Sequence, residues 1–119
     1  MQFKNTGIEQ KKVAIVQLDE VMESHGLIRA GQWDYERVTY DKKIVIKEGT
    51  YYLRVFGQSV AGDVDTMKAV IQLMTPALGK YYYPHGVEFG EDEVFPKSLV
   101  SQCEKILNDI NSELEKFAK

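Results

Sequence analysis

The sequence predicts an α+β fold: a mainly antiparallel sheet of five or six strands, with a short N-terminal helix and a long amphipathic C-terminal helix packed on one face. Three observations lead there. Near the C-terminus, Leu99, Val100, Cys103, Ile106, Leu107, Ile110, Leu114 and Phe117 recur at helical spacing. Between Leu27 and Val87 the chain is a series of β-branched and aromatic runs broken by Gly-, Asp- and Pro-containing turns. A long helix with one apolar stripe needs a surface to cover, and several antiparallel strands supply it.

Val13 to Gln17 is short and β-branched and reads as a strand. It leads into Leu18 to Gly26, where Leu18, Val21, Met22 and His25 share a helical face, acids fill the first turn, and Gly26 fits the left-handed position that ends a helix. From Leu27 to about Tyr40 the helical period disappears and a long strand or bulged pair is expected, closed by a turn at Asp41-Lys42-Lys43. Ile44-Val45-Ile46 and Thr50 to Phe56 flank Glu48-Gly49 as a hairpin. After a break over Gly57 to Asp65, Lys68 to Met74 is apolar enough for a central strand, ended by Thr75-Pro76 because proline donates nothing to a ladder. Leu78 to Val87 mixes strand-forming aromatics with Gly and Pro and reads as an edge strand that turns into a loop. Pro96 suits the first turn of the last helix, and Glu91-Asp92-Glu93 just before it complements the helix dipole.

A chain of 119 residues falls within the size of one domain and contains no stretch that reads as a linker, so residues 1–119 are expected to form a single domain. The single cysteine, Cys103, makes no intramolecular disulfide and lies on the apolar stripe, as a small core residue would. The N-terminus lacks the apolar run of a secretory signal, and no segment approaches the roughly 18 apolar residues that cross a bilayer. A cytoplasmic protein without membrane contact is the expectation. A net charge of −3, with both signs spread along the chain, supplies no footprint for a phosphate backbone, so nucleic acid is not an expected partner.

Three stretches carry a resemblance: Ala30-Gly31-Gln32-Trp33-Asp34-Tyr35-Glu36-Arg37-Val38-Thr39-Tyr40, Glu48-Gly49-Thr50-Tyr51-Tyr52-Leu53-Arg54-Val55, and Leu73-Met74-Thr75-Pro76 continuing through Tyr82-Tyr83-Pro84-His85-Gly86-Val87-Glu88. Together they resemble the YugN-like family of small proteins from Bacillus and its relatives, over nearly the whole chain. The resemblance implies a bacterial cytoplasmic α+β domain. It carries no activity, cofactor or catalytic residue onto these positions, so site hypotheses come from the residues themselves.

In an extended strand, Trp33, Tyr35 and Arg37 share one face and Asp34 and Glu36 the other. Rings beside a planar guanidinium suit a flat or anionic ligand, whereas the plainer use is cross-strand ion pairing over an aromatic lid. Tyr51, Leu53 and Val55 alternate with Tyr52, Arg54 and Phe56; the first set suits the core beneath the helix, leaving large aromatics on a second face without a cover. That face suggests a groove or a subunit contact, against which stands the ordinary strand preference of tyrosine.

His85, with Glu88 and further acids nearby, has the composition of a general base or metal ligand. No second His or Cys stands at ligand spacing, so no metal site is expected, and the acids do not follow a calcium-loop pattern. No Gly-rich phosphate loop occurs, and no cofactor is expected. Trp33, Tyr35, Arg37, Tyr52, Arg54, Phe56 and His85 are therefore the candidate ligand-binding or interface residues. The expected function is a non-enzymatic binding or interaction module, a homodimer through the free sheet face or the binder of a small molecule there. The alternative is an enzyme with a pocket that includes His85, Glu88, Trp33 and Arg37.

Overall fold

The computed structural model describes residues 1–30, 35–90 and 93–117. Among them run β1 (Lys12–Ala14), α1 (Ile15–Ser24), β2 (Ile28–Arg29), β3 (Arg37–Ile46), β4 (Gly49–Ala61), β5 (Val70–Leu73), β6 (Ala77–Tyr82), β7 (Gly86–Glu88) and α2 (Lys97–Leu114). The α+β class holds, with seven strands in one sheet and every pairing antiparallel.

The hairpin of β3 and β4 is the frame. Ile46 pairs with Gly49 across the two-residue turn Lys47-Glu48, and the ladder continues unbroken to Arg37 opposite Gln58. Asp41-Lys42-Lys43, expected as a turn, is the middle of β3. Its polarity belongs to the outer face, where Asp41 meets Arg54 across the ladder. Lys42 points inward at the sheet margin, and its ammonium donates to the His25 carbonyl at 3.2 Å. The expected break at Gly57 is also absent, because β4 runs on to Ala61.

β5 and β6 lie end to end along the other edge of β4. Leu73 pairs with Gly57 and Ala77 with Arg54, so the β5–β6 side carries one residue more than β4 between these pairs. The extra residue makes a bulge at Met74-Thr75-Pro76, where the proline interrupts the ladder without ending it. β1 pairs outside β5, and β7 outside β6. β6 is thus flanked on both sides and is not the edge strand its composition suggested.

The inner face of the sheet contributes Val38, Tyr40, Leu53, Val55, Ile71 and Leu78 to one buried cluster. Both helices lie on that face and touch each other. α1 starts at Ile15, three residues before the expected Leu18, because Ile15 and Leu18 both enter the core; no acid lies in its first turn. Gly26, at φ +82°, closes the helix as expected, while His25 Nε2 meets Glu113 Oε1 of α2 at 2.8 Å.

α2 buries Leu99, Cys103, Leu107, Ile110 and Leu114, with Val100 and Ile106 half-buried. Phe117, expected at the end of the stripe, lies past the last helical residue and is 43% exposed. Burial pushes the Cys103 thiol up to about 12, which keeps it protonated and inert as a nucleophile at neutral pH. Glu93, expected to serve the helix N-terminus, instead accepts the Tyr82 hydroxyl; Glu91 and Asp92 lie outside the described residues. Among the described residues, no helix is long and apolar enough to cross a membrane.

A polar tie links α1 to the sheet. The Tyr40 hydroxyl, at the end of a fully buried side chain, donates to Asp19 at 2.6 Å, and Arg29 of β2 donates to the same carboxylate at 3.1 Å. Burial first, and the Asp19 hydrogen bond second, raise the Tyr40 phenol well above the ordinary tyrosine range.

Two predictions follow from this packing. Leu107→Ala should cost about 2–5 kcal/mol, because the residue is fully buried, and half-buried Ile106→Ala clearly less, as denaturant melts of both variants would record. The native protein also holds the Tyr40 proton at a pH where the unfolded chain has lost it, so stability should fall as pH rises above about 10. Following tyrosinate absorbance in native and urea-unfolded protein, with Tyr40→Phe as control, checks this: the variant should lose the last-titrating phenol of the native protein, while the delayed Tyr82 stays.

Candidate functional site

The outer face of the sheet is built by alternation. In β4, Tyr52, Arg54 and Phe56 point away from the helices and are half-buried, while Tyr51, Leu53 and Val55 are buried beneath them. The β3–β4 register adds Asp41 opposite Arg54 and Thr39 opposite Phe56. From β6 come Ala77 opposite Arg54 and Gly79 opposite Tyr52. The three sequence-derived residues Tyr52, Arg54 and Phe56 are therefore brought together.

At the centre, Arg54 forms a two-pronged pair with Asp41, Nε to Oδ1 at 2.6 Å and Nη2 to Oδ2 at 2.9 Å. The hydrogen bond to Asp41 raises the guanidinium's pKa still further, so its charge is permanent and already compensated. The same guanidinium lies 5.0 Å from the centre of the Phe89 ring. Phe89 meets Phe56 edge-on at 6.3 Å, and Tyr52 meets Tyr81 likewise at 6.4 Å.

Phe89 is seated by what Gly79 lacks. A Cβ at Gly79 would lie 2.8 Å from the Phe89 ring and 2.5 Å from Val87, so only glycine leaves the notch that these side chains fill. The expectation that no part of the chain remains to cover this face is corrected here: the segment after β7 lays Phe89 on it. Asp41, Gly79, Tyr81 and Phe89 were missed by sequence reasoning. Asp41 was missed because the turn was expected at Glu48-Gly49; it lies one residue earlier, at Lys47-Glu48, and that register puts Asp41 opposite Arg54.

The other candidates lie elsewhere. Arg37 opens β3 opposite Gln58, on the outer face but four residues along β4 from Arg54, roughly 13 Å away. Tyr35 precedes the strand and is 57% exposed. Trp33 lies outside the described residues.

His85 is exposed in the turn between β6 and β7 and shares an open groove of about 470 Å³ with Tyr82, Tyr83, Glu88 and Glu93. The hydrogen bond to Glu93 pushes the Tyr82 phenol up to about 12. This groove is at the Tyr51–Lys80 end of the β4–β6 ladder, whereas Arg37 is at Gln58, seven residues and roughly 23 Å along β4. His85 and Glu88 are thus brought together, but Arg37 does not join them. Among the described residues, no three His, Cys, Asp or Glu side chains gather as a metal ion requires.

The central pair yields a prediction: a double-mutant cycle with Asp41→Asn and Arg54→Gln should return a coupling of about 1–2 kcal/mol in unfolding free energy. A coupling indistinguishable from zero would show that the pair is screened like an ordinary surface contact.

Comparison with known proteins follows the whole chain. The sequence profile of the YugN-like family matches residues 4–117. The chain is 55% identical over 115 residues to the uncharacterized protein YlbA of Bacillus subtilis strain 168, covering 97% of this chain and 96% of YlbA. It is 25% identical over 83 residues to the uncharacterized protein YugN of the same strain, covering 70% of this chain and 62% of YugN. The crystal structure of an uncharacterized conserved protein YugN from Geobacillus kaustophilus HTA426 matches with a TM-score of 0.85 at 57% identity, over 98% of this chain and 96% of that one.

Proposed function

The chain belongs to the YugN-like family, and we propose that it is a non-enzymatic binding module of the cytoplasm whose outer sheet face docks a second copy of itself. The observation that carries this reading is the half-exposed set of Tyr52, Phe56 and Tyr81 around a compensated arginine, on a face that neither described helix covers. Aromatic side chains and arginine are enriched in interface centres, and an ion pair already closed within one chain adds no uncompensated charge there.

Size supports a second copy as the occupant. β4, thirteen residues at about 3.3 Å each, makes the face roughly 40 Å long, and the five-strand path β1-β5-β4-β3-β2 at about 4.8 Å per strand makes it roughly 20 Å wide. Such a face accommodates the roughly 800 Å² that each partner buries in a stable complex, and two-fold dimers are the commonest closed assembly. Val45 of β3 and Ile28 of β2, 68% and 56% exposed on the same face, extend its apolar part towards the rim.

The enzyme reading has less support, because His85 and Glu88 lie at the opposite end of β4 from Arg37 and catalytic groups must converge on one substrate. Sedimentation velocity at micromolar concentration tests the proposal. Wild type should sediment as a dimer, and Phe56→Asp as a monomer with an unchanged circular dichroism spectrum, since an unpartnered charge at a buried contact is costly. A wild-type monomer insensitive to this substitution would overturn the dimer; a small molecule that raises the melting temperature of wild type but not of Phe56→Asp would then identify a ligand face.

A further inference from the structure

Phe89 stands apart from the rest of the outer face, because it is not part of a strand. β7 ends at Glu88, and α2 starts at Lys97. The ring reaches the sheet only through side-chain contacts: the Gly79 notch below, the Arg54 guanidinium at 5.0 Å and the edge of Phe56 at 6.3 Å. The Phe89 carbonyl accepts a hydrogen bond from the Met1 amine at 3.0 Å, which anchors the backbone at the point from which the ring projects.

On the reading that the outer face docks a second copy, we propose that Phe89 is a built-in cover for that face, masking Phe56 and the Gly79 floor within one chain and thereby weakening self-association. The physical ground is the ownership of the notch. Gly79 pairs with Tyr52 in the ladder, and Phe89 together with Val87 fills the space above it, so a partner reaches the Gly79 floor only where that ring lies. While the ring is seated, the apolar area offered to the partner is the ring's outer side; once it swings away, Phe56 and the floor add to the contact. Phe89 lies one residue past the last β6–β7 rung at Glu88, so replacing its side chain leaves that ladder intact.

Sedimentation velocity over a concentration series, for wild type, Phe89→Ala and Phe89→Leu, tests this, with circular dichroism reporting the fold. Removing the cover should tighten the dimer of Phe89→Ala roughly tenfold, with Phe89→Leu between it and wild type. Should Phe89→Ala not fold, Phe89→Leu carries the same comparison. Association that is unchanged or weaker in the folded variants overturns the proposal, since the ring would then be part of the contact rather than its cover. A gain that survives the added substitution Phe56→Asp overturns it too, because the new contact would lie elsewhere. If wild type and variants are all monomeric, the docking reading fails by itself. The cover is then judged by a fluorescent apolar dye: brighter emission with folded Phe89→Ala than with wild type supports it, and equal emission overturns it.

Discussion

The two-residue turn at Lys47-Glu48 is the constraint on which the rest of the structure depends. It pairs Ile46 with Gly49, and every later rung down to Arg37 and Gln58 follows from it. Because side chains alternate with a period of two, sliding β3 by one residue would turn its core set outward. Val38, Tyr40 and Ile44 would leave the core, and Asp41 would no longer stand opposite Arg54. Both faces therefore select the same register: the inner one by apolar burial, and the outer one by a pair of hydrogen bonds with little geometric tolerance.

The opposite edge of β4 serves two strands because of the bulge at Met74-Thr75-Pro76. Proline gives up a ladder bond that a continuous strand would need, and the extra residue lets β6 re-enter pairing beside Arg54. β1 and β7 then occupy different stretches of the outer side. β7 matters for the surface, since it brings Val87, and its continuation Phe89, over the notch at Gly79. A fold in which β5 ended the sheet would have left Tyr52 and Phe56 bare. Here the chain half-covers them.

Local pattern made the helices and the inner face legible. The stripe from Leu99 to Leu114 is buried much as its spacing implies, and Tyr51, Leu53 and Val55 face the core. What local pattern misjudged were residues whose role is set across the sheet. Asp41, Lys42 and Lys43 have turn-like composition, yet Asp41 is satisfied by Arg54 and Lys42 by the His25 carbonyl, neither of which is a sequence neighbour. Gly57 and Gly79 look like breaks, but both lie within strands, where the missing Cβ leaves room for a neighbouring side chain. The outer-face set Tyr52, Arg54 and Phe56 was readable from alternation alone, whereas Phe89 was not, since nothing near it in sequence announces a long-range contact.

Arg54 bears on what kind of recognition the proposed docking face would support. A guanidinium awaiting a ligand would keep its donors free; this one has two of them closed on Asp41 and rests its plane beside the Phe89 ring. Its permanent charge is spent inside the chain, so an anion approaching Arg54 competes with a carboxylate already in place and meets the negative field of Asp41 as well. On the docking proposal, attraction at the centre of the face would then come from ring surface and fit rather than from charge, which suits a broad, shape-matched partner better than a small charged substrate. The compensated pair would also let two copies of the face meet without placing like charges opposite one another at the centre. That is the electrostatic condition a two-fold contact has to satisfy, since each group near the axis confronts its own copy.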